Sequence, residues 1–165
     1  MNSGWLGDSW DRDSKQIFCM DFWSAPQEEV AVTSVAGDVS LPSVTIEDFP
    51  SSDVIVQRAI AIFKFRILEN TSSAGVNALA LIQYIQVRDD APGTWRNAIT
   101  LPDNLYTIAA STREGGDVII GNIDISVEIV DLNNTYEFQW NEAVCDRNNL
   151  QFNDCQTGLR IYYAI

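Results

Sequence analysis

The stretch STREGGDVIIGN, residues 111–122, holds three glycines that could build a phosphate-binding loop: Gly115, Gly116 and Gly121. Such a loop follows a strand and precedes a helix, whose N-terminus then faces the phosphate. Here polar and apolar side chains alternate over 122–128, which is the period of a half-buried strand. The sequence therefore predicts a turn between strands at the Gly-Gly pair, and a bulge or close-packing point at Gly121.

Pairs of acidic residues are a second feature that could do chemistry, because two opposed carboxylates about 5–10 Å apart can hydrolyse a glycosidic bond. The pairs are Glu28-Glu29, Glu47-Asp48 and Asp89-Asp90. Adjacent residues of a strand point to opposite faces, so no pair forms such a site by itself. The chain has no histidine, the commonest general base and the usual partner of a nucleophile. We therefore expect a protein that is not an enzyme.

Three loops rich in oxygen ligands are candidates for calcium: RDDAPGTW, DLNN and DRNN, at 88–95, 131–134 and 146–149. None has the spacing of an EF-hand loop. Apart from this calcium alternative we expect no cofactor. Trp95, at the end of the first loop, is a candidate for stacking on a sugar ring, although a buried Trp95 is the simpler interpretation.

The three cysteines fit no zinc motif. Cys145 and Cys155 share a polar segment near the C-terminus, and a disulfide between them would leave Cys19 unpaired. Free thiols are the alternative interpretation.

The charge of the chain excludes whole classes of partner. Ten Lys and Arg face 23 Asp and Glu, a formal net charge of −13. Nucleic acids and anionic membranes repel such a surface, so neither is an expected partner. The N-terminus has no basic start followed by an apolar run, so we expect no signal peptide.

The elements that must position these residues are strands. Period-two alternation with turn signals between the runs predicts nine or ten strands and no helix. The main runs lie at 30–33, 39–41, 44–46, 54–68, 78–87, 105–112, 118–130, 135–140, 150–152 and 158–165. The runs 118–130 and 135–140 are expected to form a hairpin, and the longest, 54–68, to be a central strand. The prediction is an all-β antiparallel β-sandwich, with a jelly roll as one candidate topology, as one domain over residues 27–165.

Residues 1–26 differ in composition from the rest of the chain. They hold three of the five tryptophans among Gly, Ser and Asp, without a clear period. They are either an irregular segment packed on its own domain or an arm that docks on a neighbouring subunit. Aromatic residues are enriched at interfaces, so in the second case the expected anchors are Trp5, Trp10, Phe22 and Trp23.

Three segments resemble uncharacterised proteins encoded by tailed phages: VIVQRAIAIFKFRILENTSSAGVNALALIQYIQVRDDAPGTWRNAITL, STREGGDVIIGNIDISVEIVD and YEFQWNEA with LQFNDCQTGLRIYY. The resemblance covers residues 37–165 and brings no functional residues with it. It implies a virion component with a β-sandwich core, made in the host cytoplasm.

These observations together favour a non-enzymatic viral structural protein, a capsid decoration or tail-associated subunit. It would form a symmetric homo-oligomer and contact other virion proteins. One alternative is a carbohydrate-binding or host-receptor-binding β-sandwich module that uses Trp95. A further alternative is an extracellular filament subunit joined by strand exchange.

Overall fold

The computed structural model describes residues 16–48, 54–70, 78–89, 93–98, 106–110, 117–129, 132–145 and 150–164. In these ranges the chain forms eleven strands and no helix. The strands are β1 Ile17–Trp23, β2 Val30–Val32, β3 Gly37–Thr45, β4 Ile55–Asn70, β5 Ala78–Ile82, β6 Tyr84–Asp89, β7 Arg96–Asn97, β8 Tyr106–Ala110, β9 Asp117–Asp124, β10 Thr135–Cys145 and β11 Leu150–Ala164.

The strands form two antiparallel sheets that pack face to face, which confirms the predicted all-β sandwich. Sheet 1 has the order β1-β11-β4-β9, and β2 also pairs with β11. Sheet 2 has the order β7-β6-β10-β5-β8, and β3 pairs with the other edge of β10. The longest strands, β4 and β11, lie side by side in the middle of sheet 1, as predicted for the apolar run 54–68.

An aromatic cluster joins the two sheets across the core. Phe65 of β4 makes edge-to-face contacts with Trp140 of β10 and Phe152 of β11, with ring centres 5.5 and 5.1 Å apart. Trp140 and Phe152 meet at 5.6 Å, and Phe63 meets Phe138 at 5.7 Å. All five side chains are buried. Edge-to-face geometry places the positive edge of one ring against the negative face of the next.

Strand β3 corrects the prediction of two short strands separated by Pro42. The chain runs as one strand from Gly37 to Thr45, and its register against β10 shifts between the pairs Leu41–Phe138 and Val44–Tyr136. Proline has no N–H to donate to the ladder, so it is accommodated in a bulge and does not end the strand.

The predicted strand over 78–87 is two strands, β5 and β6, separated by a bend at Gln83. Ile82 and Ile85 are both buried although they are three residues apart. An uninterrupted strand would point them to opposite faces, so the bend restores the inward direction after one extra residue.

Strand β9 ends at Asp124, earlier than the predicted end at residue 130. The Asp124 carboxylate accepts hydrogen bonds from the backbone N–H and the hydroxyl of Ser126, at 3.0 and 2.5 Å. This side chain replaces the ladder with a turn, and the Ile129 N–H then bonds back to the Ile125 carbonyl. The turn carries the chain from sheet 1 to sheet 2.

The predicted hairpin between 118–130 and 135–140 is therefore wrong, since β9 pairs with β4 and β10 pairs with β3, β6 and β5. Gly121 was correctly predicted as a bulge. Gly121 and Asn122 together stand opposite Ile62, between the pairs Ile123–Ala61 and Ile120–Phe63. The bulge changes which of the alternating side chains point inward.

Two segments expected to be irregular are strands. Residues 141–157, predicted as a polar loop around a short strand, belong largely to the ends of β10 and β11. Ile17–Trp23, predicted as part of an irregular arm, forms β1 and pairs with Gly158–Ala164 of β11 over its whole length. Polar side chains obscured the alternation in 141–157, whereas β1, with the sequence IFCMDFW, is largely apolar on both faces and shows no alternation.

Candidate functional site

The surface of sheet 1 that points away from the core, here called the outer face, exposes an unusual number of large apolar side chains. Among the described residues, six large hydrophobics are exposed: Ile17, Trp23, Val35, Ile55, Ile119 and Val127. Four of them, Ile17, Trp23, Ile55 and Ile119, lie on the outer face according to the strand register. Ile17 and Ile55 lie at one end of this face, and Trp23 and Ile119 lie on opposite sides of the β11–β4 pair further along it.

The apolar side chains of the outer face form rows across the strands. Trp23 lies opposite Gly158, which lies opposite Ile62. A Cβ on Gly158 would stand 2.8 to 2.9 Å from three atoms of the Trp23 ring, so the indole rests directly on the glycine backbone. At one end of the sheet, Ile17 and Ile55 flank Ala164. Trp23 keeps 46% of its surface exposed in this position.

Ion pairs occupy the row next to Trp23. Arg160 of β11 donates to both carboxylate oxygens of Asp21 of β1, from Nε and Nη2, each at 2.7 Å. This bidentate geometry lowers the pKa of the Asp21 carboxyl and raises that of the guanidinium. The pair therefore holds its charges at neutral pH and is lost only as the pH falls through the lowered Asp21 pKa.

A second ion pair lies on the β9 side of the outer face. Arg58 Nε donates to Asp124 Oδ2 at 3.1 Å. The hydrogen bonds from Ser126, followed by the Arg58 guanidinium, lower the pKa of the Asp124 carboxyl. The same carboxylate thus ends β9 and fixes an arginine over the sheet.

Sheet 1 is nearly neutral, although the chain carries −13. Its strands contain four of the ten basic residues and five of the 23 acidic ones. The basic residues are Arg58, Lys64, Arg66 and Arg160, and the acidic residues are Asp21, Glu69, Asp117, Asp124 and Asp154. Two copies of an acidic chain repel each other, so this sheet can approach a second copy at a lower electrostatic cost than the acidic remainder of the chain.

The predicted interface anchors separate into three groups. Trp5 and Trp10 lie outside the described residues. Trp23 lies on the outer face, in a strand and not in an arm. Phe22 points the other way and packs, partly buried, against the core, which leaves it little surface for a second chain. Neither Ile119 nor the ion pairs could be identified from the sequence, although Arg58, Lys64 and Arg66 share one face of the run 54–68 with apolar residues.

Of the two interpretations of the cysteines, the disulfide between Cys145 and Cys155 is not formed: both are buried thiols, and Cys19 is an exposed thiol. Burial, with the nearby charges of Glu28 and Asp154, raises the pKa of the Cys155 thiol to about 12. A thiol of this kind is protonated at neutral pH and reacts slowly.

We expect one fast-reacting thiol per chain in the native protein. Titration with a chromogenic disulfide reagent at pH 7.5 should give one equivalent at once and three in denaturant, because Cys145 and Cys155 become accessible only on unfolding. The variant Cys19→Ser should abolish the fast phase. Two or three fast equivalents in the wild type would contradict the buried placement.

Trp95 is neither fully buried nor free. Its ring is half-buried beside the sheet 2 strands, and the Arg88 guanidinium carbon stands 4.4 Å from the centre of the ring. Arg88 in turn donates to Glu137 Oε2 of β10, from Nε at 2.6 Å and from Nη2 at 2.5 Å. These three side chains line a cavity of about 540 Å³ together with residues 24–27 and 40–43.

The calcium loops are only partly described. Residues 146–149 lie outside the described ranges, as do Asp90 and Asp131. Asp89 bonds Arg96 at 2.7 Å, which lowers the pKa of its carboxyl. Arg96 also pairs with Glu128. No group of three Asp, Glu, Cys or His side chains that could hold a metal occurs within the described part of the chain, and calcium binding stays a prediction.

Gly115 and Gly116 lie outside the described residues as well, so the predicted turn there also stays a prediction. The described part of the chain contains no helix long and apolar enough to cross a membrane.

Comparison with known proteins adds no family. No family model and no curated protein matches the chain. A solved structure titled "Crystal Structure of FLHE" superposes with a TM-score of 0.37 and 7% sequence identity, over 89% of this chain and 98% of that one. A similarity this low carries no argument about function, so the outer face and the cavity must be interpreted from their own geometry.

Proposed function

We propose that the protein is a non-enzymatic structural subunit of a virion, a capsid decoration or tail-associated component, that acts by self-assembly through the outer face of sheet 1. The single observation that carries the assembly part of this proposal is the position of Ile17, Trp23, Ile55 and Ile119 on one nearly neutral sheet face. The resemblance of residues 37–165 to tailed-phage proteins supports the viral setting.

The mechanism is burial of apolar surface between copies. Trp23 and Ile119 stand above the sheet on opposite sides of the β11–β4 pair. Removing such side chains from water stabilises a contact by roughly 25 cal/mol per Å² of apolar area. The Asp21–Arg160 and Arg58–Asp124 pairs are already satisfied within one chain, so a second copy can cover them without leaving an unpaired charge.

The outer face also suits a repeated contact. Strands β1 and β9 end the sheet on either side, and within the described residues each pairs with one neighbour. A face bounded by two such edges can form an isologous dimer or a ring, depending on the angle between copies. Other virion proteins would then bind surfaces that remain outside this contact.

Replacing Ile119 by aspartate tests this proposal. Ile119 is 66% exposed on the outer face, so the substitution should leave folding intact, whereas a charge in an apolar contact should shift the native mass from oligomer to monomer. Light scattering after size exclusion at about 100 μM measures the mass, and we expect a loss of about tenfold or more in association constant.

Val127→Asp is the matched control. Val127 is an aliphatic residue, 86% exposed, in the turn after β9 and not on a strand of the outer face. The Val127→Asp variant should have the same native mass as the wild type. A monomeric wild type, or equal losses in the two variants, would refute assembly through this face. Open-ended growth of mass would favour the filament alternative.

A further inference from the structure

The cavity beside Trp95 lies between the two sheets' edges and is unrelated to the outer face. One wall is the connection from β1 to β2, residues 24–27, and the opposite wall is the bulged part of β3, residues 40–43. Arg88, Glu137 and Phe138 of sheet 2 also line it, together with Trp95, which directly precedes β7. A volume of about 540 Å³ falls within the range of about 300–1,000 Å³ that is usual for small-molecule sites.

Hydrogen bonds fix the first wall to the central strand of sheet 1. The Ser24 N–H donates to the Thr157 carbonyl at 2.9 Å, and the Ser24 hydroxyl accepts from the Thr157 N–H at 3.0 Å. Gln27 exchanges two backbone hydrogen bonds with Cys155, at 2.8 and 2.9 Å. A wall held in this way is formed before any ligand arrives, which lowers the entropic cost of binding.

The second wall owes its shape to Pro42. Because proline forces the bulge in β3, the backbone turns away from a regular ladder at this point. The neighbouring side chains Ser40 and Ser43 are small and exposed. Because Ser40 and Ser43 on this wall and Ser24 on the other are small, the space between the walls stays open. Their hydroxyl groups line it.

The third side of the cavity is formed by the Arg88–Glu137 ion pair and the neighbouring Trp95 ring. Arg88 and Glu137 neutralise each other, and Arg88 lies over the Trp95 ring. A guanidinium has five N–H donors and a carboxylate accepts about four hydrogen bonds, so both groups retain capacity beyond their own pair. The flat face of an indole is negatively polarised and attracts the C–H groups of a ligand.

We infer that this cavity is a binding site for a neutral saccharide of two or three units. The sugar's C–H face would contact Trp95 on the side away from Arg88, and adjacent hydroxyls would bond Arg88 and Glu137. The serine hydroxyls and Gln27 would bind the next unit. Anionic ligands fit poorly, because the Arg88 guanidinium is already neutralised by Glu137 and the chain carries −13.

Saturation-transfer NMR with the full chain and a panel of neutral trisaccharides of gluco, manno, galacto and N-acetylated types tests the inference. At least one should bind, and Trp95→Ala should weaken it by about tenfold or more. Glu137→Gln should weaken it too, since it removes the carboxylate charge that holds the Arg88 guanidinium in place.

Val127→Ala is the control, because Val127 is exposed in the turn after β9 and is not one of the residues that line the cavity. The affinity of this variant for the trisaccharide should equal that of the wild type. If Trp95→Ala fails to fold, Trp95→Phe keeps an aromatic face and should retain partial binding. Absence of binding at 10 mM (about the weakest affinity measured this way), or equal losses in Trp95→Ala and Val127→Ala, would overturn the inference. An acidic trisaccharide is added to the panel, and binding of that sugar alone would overturn it as well. Binding of a proline-rich peptide to the cavity, when none of the saccharides binds, would overturn the inference and assign the cavity to a peptide.

Discussion

Replacing Phe65 with alanine is expected to lower the free energy of unfolding by about 3–5 kcal/mol. Phe65 is buried and contacts Trp140 of the opposite sheet and Phe152 of the neighbouring strand, with ring centres 5.5 and 5.1 Å away. Truncation removes these contacts and leaves a cavity between two sheets whose backbones are fixed by their ladders, so little collapse can compensate. Urea denaturation followed by tryptophan fluorescence and circular dichroism measures the change.

The control for this substitution is Phe18→Ala on β1. Phe18 is half-buried and stacks on Tyr163 with ring centres 5.5 Å apart, at the edge of the sandwich. Its truncation should cost clearly less, about 1–2 kcal/mol, because less area leaves the interior. A double-mutant cycle between Phe65 and Trp140 should give a coupling of about 0.5–1.5 kcal/mol. Equal costs for Phe65→Ala and Phe18→Ala would show that the aromatic cluster does not hold the sheets together.

The strand content of the chain could be predicted because alternation is a local property. The runs around Phe63, Phe138 and Leu159 show period two over at least five residues, and each is a strand with the expected face buried. In these three runs the inward face follows from the local pattern. In β9 the bulge at Gly121 interrupts it, so that Ile119 is exposed whereas Ile123 is buried.

Strand pairing could not be predicted in the same way. The residues 118–130 and 135–140 are close in the chain and both alternate, which favours a hairpin, yet Asp124 ends β9 through its bonds to Ser126. Whether a side chain takes hydrogen bonds from its own backbone or leaves them to a neighbouring strand depends on tertiary contacts. Short-range pattern therefore misplaced β10, which belongs to the other sheet.

The same limit applies to the two candidate sites. Trp23 and Ile119 are 96 positions apart in the chain, and Trp95 meets a wall formed by residues 24–27. The sequence could identify each tryptophan as a candidate for a contact surface. Only the register of β1 against β11 places Trp23 on the outer face of sheet 1. The cavity depends further on the Pro42 bulge, which the sequence analysis interpreted as a strand end.

The structure determines how the role of the N-terminal segment has to be tested by deletion. Because β1 is part of sheet 1, a deletion of residues 1–26 would remove a strand as well as any arm, and lost assembly would have two explanations. Two shorter deletions separate them: one removes 1–15, which leaves every described strand, and the other removes 1–23, which also removes β1.

The deletion of 1–23 should lower the free energy of unfolding by roughly 3–5 kcal/mol, the burial value of two side chains. It uncovers Tyr163 and the β11 edge from Gly158 to Ala164, and it breaks the Asp21–Arg160 pair. An exposed, largely apolar edge of a long strand is also a site of aggregation, so turbidity on warming should rise. The deletion of 1–15 should retain the wild-type midpoint in urea.

The native masses of the two variants then show whether assembly depends on the arm before β1 or on sheet 1 itself. If Trp5 and Trp10 anchor neighbouring copies, the 1–15 deletion keeps its stability and becomes monomeric. If the outer face alone makes the contact, it keeps both its stability and its mass. A deletion of 1–23 as stable as the full chain would contradict the pairing of β1 with β11, since an edge strand with seven paired residues and a bidentate ion pair cannot be lost without cost.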